Sequence, residues 1–237
     1  GYTLLVSAPS LTISPALYRK LGYDPVKDFT PVTLLAEVAN LIVIRQALPA
    51  NNLKEFVDYA RANPGKLNFG ASGVGTSTHL ATALFLGQAG LNLVGVTYKG
   101  ASQALIAMIG NEVDVVVIGP PAALPHIQAG RVKALAVMRS ARLPSLPQVP
   151  TTQEAGVLDS EVLTWYGLLV PAGTPRAIVE RLHAIWAQAA ATADVREKMN
   201  NIGAEVAVTT PAQFAAMIRD EVPRWKKVVK DANLHVE

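Results

Sequence analysis

Between residues 67 and 138, strand-sized apolar segments alternate with glycine-rich turns and helix-sized segments. This alternation constrains the fold more than anything else in the chain. Residues 67–70 read as a strand, 76–89 as a helix closed by Gly90, and 91–97 as a second strand. A helix over 101–109 closed by Gly110, a strand over 113–118, a helix over 121–129 closed by Gly130 and a strand over 133–138 follow. Strands alternating with helices of about ten to fifteen residues predict right-handed βαβ units in a parallel, doubly wound sheet. Just upstream, Asn52 and Glu55 form a capping box for a helix that places Leu53, Phe56, Val57 and Ala60 on one face.

The flanks read differently. Residues 32–44 and 162–170 are long apolar strands on either side of the regular middle, which predicts a domain inserted into another one. The two crossing strands would form a hinge, with a ligand cleft between a first domain of residues 1–40 and 168–237 and a second of 41–167. Residues 1–6 read as a buried parallel strand that begins at once. Parallel strands need neighbours brought in by crossovers, so a preceding segment is expected. Thr151 and Glu154 predict a short capped helix, and Thr174 and Pro175 the N-cap and first position of another. That helix buries Ile178, Val179, Leu182, Ile185 and Trp186. A short helix ending near Gly203 and a strand over 206–208 follow. A final amphipathic helix starts at Thr210-Pro211 and runs through Phe214, Ile218, Val222, Trp225 and Val229.

Composition removes several classes of function. The 237 residues include no cysteine, so disulfides, thiolate metal sites and cysteine nucleophiles are absent. The net charge of +3 is spread thinly with no basic stripe, which argues against nucleic acid. The uncharged run 115–130 is broken by Pro120, Pro121 and Pro125 and cannot span a bilayer. The four histidines lie far apart without clustered carboxylates, which argues against a metal site.

The chemistry concentrates where strands end. Ser72, Gly75, Thr76 and Ser77 open one helix, Tyr98, Lys99 and Gly100 the next, and Gly119 a third, all at the carboxyl edge of the expected sheet. The first amides of a helix have no internal partner and the helix dipole is positive there, so such an edge captures anions. Open α/β sheets bind ligands at this edge. For Lys99 a solvated position and a cleft role weigh equally, and one of Trp165 and Tyr166 is expected in the core. Gly73-Val-Gly75 fails as a dinucleotide fingerprint. Its sixth position is Thr78, and no acidic residue lies between Asp58 and Glu112. Ser72 or Ser77 activated by a histidine would make a hydrolase, yet Gly-x-Ser-x-Gly is absent. His79 reads as a satisfied histidine beneath the turn, and His126 as a cap or packing residue.

Nine segments together resemble one family. They are Pro15-Ala-Leu-Tyr18, Tyr23-Asp-Pro-Val-Lys-Asp-Phe29, Gly65-Lys-Leu-Asn68, Gly73-x-Gly-Thr-Ser-x-His79, Tyr98-Lys-Gly100, Leu124-Pro-His-Ile127, Pro150-Thr-x-x-Glu-Ala-Gly156, Tyr166-Gly-Leu-Leu-x-Pro-Ala-Gly-Thr-Pro175 and the opening Gly1-Tyr-Thr-Leu. In this order and nearly end to end, the chain resembles the Bug receptors, the extracytoplasmic solute receptors of tripartite tricarboxylate transporters. The resemblance implies a two-domain periplasmic-binding-protein (Venus-flytrap) fold of α/β class, each domain a mainly parallel sheet flanked by helices.

It also implies a periplasmic receptor without catalytic activity or cofactor, whose partners are a small carboxylate and the membrane subunits of the transporter. Ser7 and Ser10 would face the 72–77 turn from the other domain. Family members are usually longer at the N-terminus, with a glycine-rich loop that also contacts ligand. At Ile118-Gly119-Pro120 this chain departs from the acidic residue and Asn that the family often shows. With no carboxylate there to hold an ammonium group, a dicarboxylic or aromatic acid is expected over aspartate or glutamate. The full-length protein is expected to be a monomer, and an open edge at residues 2–6 would invite pairing with a second copy. A small α/β hydrolase and a periplasmic sensor or scaffold without a transporter are the alternatives.

Overall fold

The computed structural model of the chain describes residues 3–231. The chain divides into two compact units, Gly1–Val38 with Thr164–Glu237, and Ala39–Leu163. In chain order the first unit begins with β1 (Leu5–Ser7), α1 (Ser10–Leu17) and β2 (Phe29–Ala39). The second unit carries β3 (Leu41–Arg45), α2 (Leu53–Ala62), β4 (Asn68–Ala71), α3 (Ser77–Ala89) and β5 (Val94–Thr97). It continues through α4 (Ala101–Ile109), β6 (Val115–Ile118), α5 (Pro120–Gln128) and β7 (Val132–Val137). The chain returns to the first unit through β8 (Leu163–Pro171), α6 (Arg176–Ala190), α7 (Ala193–Asn201), β9 (Glu205–Val206) and α8 (Pro211–Asp231).

In the second unit the strand order is β5-β4-β6-β3-β7. β4 pairs in parallel with β5 and with β6, while β3 lies between β6 and β7 and is antiparallel to both. β4 to β7 therefore share one direction, as the βαβ pattern predicts, and β3 alone opposes them. No helical crossover delivers β3, so the rule that makes crossovers parallel does not act on it. Leu41, Ile42, Val43 and Ile44 are fully buried, as expected for a central strand covered on both faces. Gly70 lets α4 approach β4 closely: a Cβ there would meet Val116, Ala104 and Val113 at 3.1, 3.2 and 3.2 Å. At the amino ends of β4 and β6 and the carboxyl end of β3, Asp114 accepts from Arg45 Nε (2.8 Å) and from the Asn68 amide (2.7 Å), tying the three strands together.

The single long strand expected over 32–44 is two strands in different sheets, broken at Asn40. This fully buried residue accepts the Met138 amide on its carbonyl (2.8 Å) and donates Nδ2 to Val162 O (2.8 Å). Val162 in turn donates its amide to Met138 O at 3.1 Å. Asn40 thus joins the segments by which the chain enters and leaves the second unit.

The first unit's sheet has the order β1-β8-β2-β9, with β1 antiparallel to β8 and β2 antiparallel to β9. These pairings correct the mainly parallel expectation for this unit. The physical reason is connectivity, since no helix links β1 directly to β8 or β2 directly to β9 in a βαβ crossover. β1 is also half open, with Leu4 and Val6 exposed, where a buried parallel strand was expected; Gly1 and Tyr2 lie outside the described residues. The core holds Leu11, Leu34, Trp165, Leu169, Phe214 and Ile218, with Trp165 edge-on to Phe214 at 5.4 Å. Trp165 is therefore the core member of its pair, and Tyr166 is 41% exposed.

One helix arises without a sequence expectation, and two local expectations shift, for identifiable reasons. Helix α1 has no sequence signal, because Thr12 and Ile13 are β-branched and Pro15 removes a donor; burial of Leu11, Ile13 and Leu17 forms it instead. Thr151 and Glu154 exchange reciprocal capping bonds of 2.7 and 3.1 Å, but Gly156 (φ 86°) ends the segment after one turn. Thr174 donates its hydroxyl to Pro171 O at 2.7 Å, leaving Pro175 as the N-cap of α6.

Candidate functional site

Because β5, β4 and β6 are adjacent and parallel, the turns that follow them lie along one edge of the sheet. α3, α4 and α5 all begin there. The three helix starts differ in what they offer.

α3 opens from a tightly held turn. Gly73 (φ 110°) and Gly75 (φ 80°) occupy backbone conformations that side chains disfavour. Thr76 is the N-cap. Its hydroxyl accepts the His79 amide at 3.2 Å and donates to Gly73 O at 3.0 Å. Ser72 Oγ lies 3.0 Å from Thr76 Oγ1 and also contacts Thr78 Oγ1. The Gly75 amide donates to His79 Nδ1 at 3.3 Å. His79 is 7% exposed, and burial pushes its imidazole below the usual range, so it stays neutral with its proton assigned to Nε2 by that bond. Thr76 and Gly75, expected as ligand donors, therefore have those groups engaged in shaping the turn. Thr78 joins the hydroxyl cluster unannounced, although its place in the first turn of α3 was a usable signal.

α4 is the open one. Its N-cap, Gly100, has no side chain to cap the first amides, and a Cβ there would meet nothing within 4 Å. Gln103 Oε1 accepts the Lys99 amide at 3.1 Å, a capping contact legible from glutamine in the first turn. The Lys99 side chain is exposed. Tyr98 donates its amide to Ala71 O at 2.8 Å, but its hydroxyl turns toward Glu112 Oε2 at 3.4 Å, beyond the far end of α4. Desolvation first, then the Glu112 charge, hold that phenol above its usual range.

α5 offers least. Its N-cap is Gly119, Pro120 and Pro121 have no N–H, and the Ala122 and Ala123 amides both reach Gly119 O, at 3.3 and 3.4 Å. Ser7 and Ser10 belong to the first unit, where Ser7 pairs with Gly167 at the end of β1 and Ser10 opens α1. A cavity of about 250 Å³ beside Arg139, Thr152 and Ser160 contains none of the expected residues.

The edge is therefore equipped with amides, hydroxyls and one exposed lysine. His79 Nδ1 is occupied by an amide and cannot serve through that nitrogen as a base for serine. Among the described residues, no group of three metal-ligating side chains occurs, and no helix is long and apolar enough to cross a membrane.

Comparison with known proteins places this arrangement. Residues 1–234 match the model of the tripartite tricarboxylate transporter family receptor, TctC. Protein BugT of Bordetella pertussis is 31% identical over 233 residues, 98% of this chain and 72% of BugT. The structure of Rpa4515 from R. palustris with adipate superposes with a TM-score of 0.90 at 35% identity, covering 98% of this chain and 78% of that one. MatC from Rhodopseudomonas palustris with bound malate gives 0.84 at 35% identity, covering 96% and 79%. These are binding receptors, not enzymes, and the two-unit α/β architecture matches theirs. On the match over residues 1–234, this chain belongs to the TctC family of extracytoplasmic receptors for tripartite tricarboxylate transporters.

Proposed function

We propose that the protein is a periplasmic, monomeric receptor that captures a small carboxylate at the edge where α3 and α4 begin and delivers it to the membrane subunits of its transporter. The observation that carries this is the open start of α4 beside the hydroxyl cluster at the start of α3. A carboxylate there meets unpaired helix amides and favourable dipoles. Ser72, Ser77, the exposed Lys99 side chain and the backbone at Gly100 are the proposed donors, with Thr76, Gly75 and His79 holding the turn. Tyr98 and Gly119 take part through backbone placement, and Ser7 and Ser10 are proposed as further hydroxyl donors.

The proposed ligand carries no amine. The turns 71–78, 97–102 and 118–122 contain no acidic residue, and a buried ammonium group without an acceptor is expensive. Adipate and malate, the acids held by the two similar structures, are the first candidates. A thermal-shift panel of adipate, malate, benzoate, aspartate and glutamate tests this. A ligand at a hundred times its Kd stabilises by about 2.7 kcal/mol. For a chain of this size that raises Tm by roughly 5–10 °C. Stabilisation by the amino acids and not by the plain acids would refute the ligand class, and a flat response to all five would refute the receptor reading.

A further inference from the structure

Three segments far apart in sequence meet at one carboxyl group in the first unit. Glu221 is half-buried on α8. The Thr12 hydroxyl of α1 lies 2.7 Å from its Oε2, and the Trp165 indole of β8 lies 3.0 Å from Oε2 and 3.1 Å from Oε1. Thr12 is fully buried and Trp165 nearly so. Thr12 Oγ1 is also 2.9 Å from the carbonyl of Pro9, the N-cap of α1, which receives the Thr12 and Ile13 amides at 3.0 and 2.9 Å. A threonine hydroxyl has one proton. With Glu221 ionised, Thr12 Oγ1 faces two acceptors and can donate to only one of them, so the other short contact holds no proton.

A proton on Glu221 fills both contacts. The acid donates to Thr12 Oγ1, Thr12 donates to Pro9 O, and the Trp165 indole donates to the other carboxyl oxygen. A relay then runs from α8 to the carbonyl that starts α1. Trp225 adds a second observation. It lies four residues further along α8, and among the described residues its buried indole N–H has no hydrogen-bond partner. An ionised carboxylate has about four lone-pair sites and would draw in such a donor, whereas a neutral acid gives up part of that capacity to its own proton. Burial is the largest influence on Glu221 and favours the neutral form, while Thr12, Trp165, the nearness of Trp225 and the Arg224 charge favour the ionised one. Arg224 is the charged group of α8 acting on Glu221. α1 carries no titratable residue, and β8 carries only Tyr166, which follows Trp165 and points to the opposite face of the sheet. Tyr23, packed against the same core, turns its hydroxyl to Leu11 O at 3.5 Å.

We propose that Glu221 is a pH-operated latch on α1: as a neutral acid it closes the relay through Thr12 to Pro9, and its ionisation opens the relay and loosens the start of α1. The latch needs no ligand and lies within the first unit alone. α1 depends on such contacts, because it has no local helix signal and no side-chain cap at Pro9. A carboxyl group held neutral by folding binds its proton more tightly in the folded chain than in the unfolded one. Its contribution to stability is therefore complete below the ordinary carboxylate range and is lost as pH rises through the folded value.

The test compares the wild type with Glu221→Gln, whose amide N–H toward Thr12 and oxygen toward Trp165 keep the neutral arrangement at every pH. Between pH 5 and pH 9 the Tm of the wild type should fall relative to that of Glu221→Gln by roughly 2–4 °C. The His79 contribution is common to both proteins and cancels. Tryptophan fluorescence of the wild type should show a transition in the same range that Glu221→Gln lacks. After allowance for the intrinsic pH dependence of hydrogen exchange, the Ile13 amide should exchange faster in the wild type than in Glu221→Gln at pH 9. Thr12→Val cuts the relay at nearly constant shape, so it should keep the fluorescence transition and lose the pH dependence of that exchange. An infrared spectrum of the wild type at pH 6 needs no variant to fold and should contain a protonated-carboxyl band. Absence of that band, or its persistence in Glu221→Gln, would overturn the latch. Ile13 exchange that follows pH equally in all three proteins would overturn it as well.

Discussion

Replacing Thr76 by alanine removes a single oxygen that makes four contacts at the start of α3. It caps the His79 amide at 3.2 Å, donates to Gly73 O at 3.0 Å and lies 3.0 Å from Ser72 Oγ and 3.3 Å from Thr78 Oγ1. Loss of an N-cap hydroxyl costs about 1 kcal/mol, with a range of roughly 0.5–2. In a chain of this size, about 1 kcal/mol lowers Tm by roughly 2–4 °C. The second consequence falls on binding. With its proton on Gly73 O, the hydroxyl has none to give a ligand, so its effect on affinity runs through the turn it holds. That turn contains two left-handed glycines and no other cap, and once loosened it must be reordered on binding. A penalty of about 1–1.4 kcal/mol is a five- to ten-fold weaker Kd. Thr76→Ser keeps the oxygen and should restore both quantities. Calorimetry with adipate and a melting curve on the three proteins decide the matter. An unchanged Tm in Thr76→Ala would refute the cap argument. An unchanged Tm with lost affinity would make the hydroxyl a direct ligand contact instead.

Two further outcomes follow from packing and burial. Gly167→Ala in β8 should destabilise the first unit by about 1–3 kcal/mol, because its new Cβ would collide with the buried Phe214 ring, 2.6 Å from Cε1 and closer still to Cζ; a Tm equal to wild type would refute the packing. His79 has a depressed pKa in the folded chain through burial, so the stability it contributes is complete above the ordinary histidine range and is lost as pH falls below it. Denaturant titrations from pH 8 to pH 5 should show this slope, flattened in His79→Gln, and identical slopes in the two proteins would count against a buried neutral imidazole.

Much of the second unit was legible in the residues. The βαβ alternation between Asn68 and Val137 depends on local signals: glycine after each helix, apolar runs of strand length, and periodic faces on α2 and α4. Those signals act within a dozen residues, and parallel crossovers have a fixed hand, so local pattern and topology agree. The convergence of three helix starts at one edge follows from the same logic. Which of those starts is open does not. That Gly75 donates to His79, that Thr76 is occupied by Gly73 and His79, and that Tyr98 turns away to Glu112 are side-chain choices among competing partners, and spacing cannot rank them.

The first unit was harder to read, because its contacts join distant parts of the chain. β1 pairs with β8 across more than 150 residues, and α1 exists only because α8 and the sheet bury Leu11, Ile13 and Leu17. Asn40 looks like an ordinary polar interruption of an apolar strand until its carbonyl and side chain meet Met138 and Val162. The sequence by itself determined the α/β class, the parallel run of strands and the convergence of three helix starts at one edge, since these follow from propensity, periodicity and handedness. Only the tertiary structure decided the antiparallel pairings, the helix without a local signal, and which amides and hydroxyls remain for a ligand. Those depend on which remote groups reach each buried donor and acceptor first.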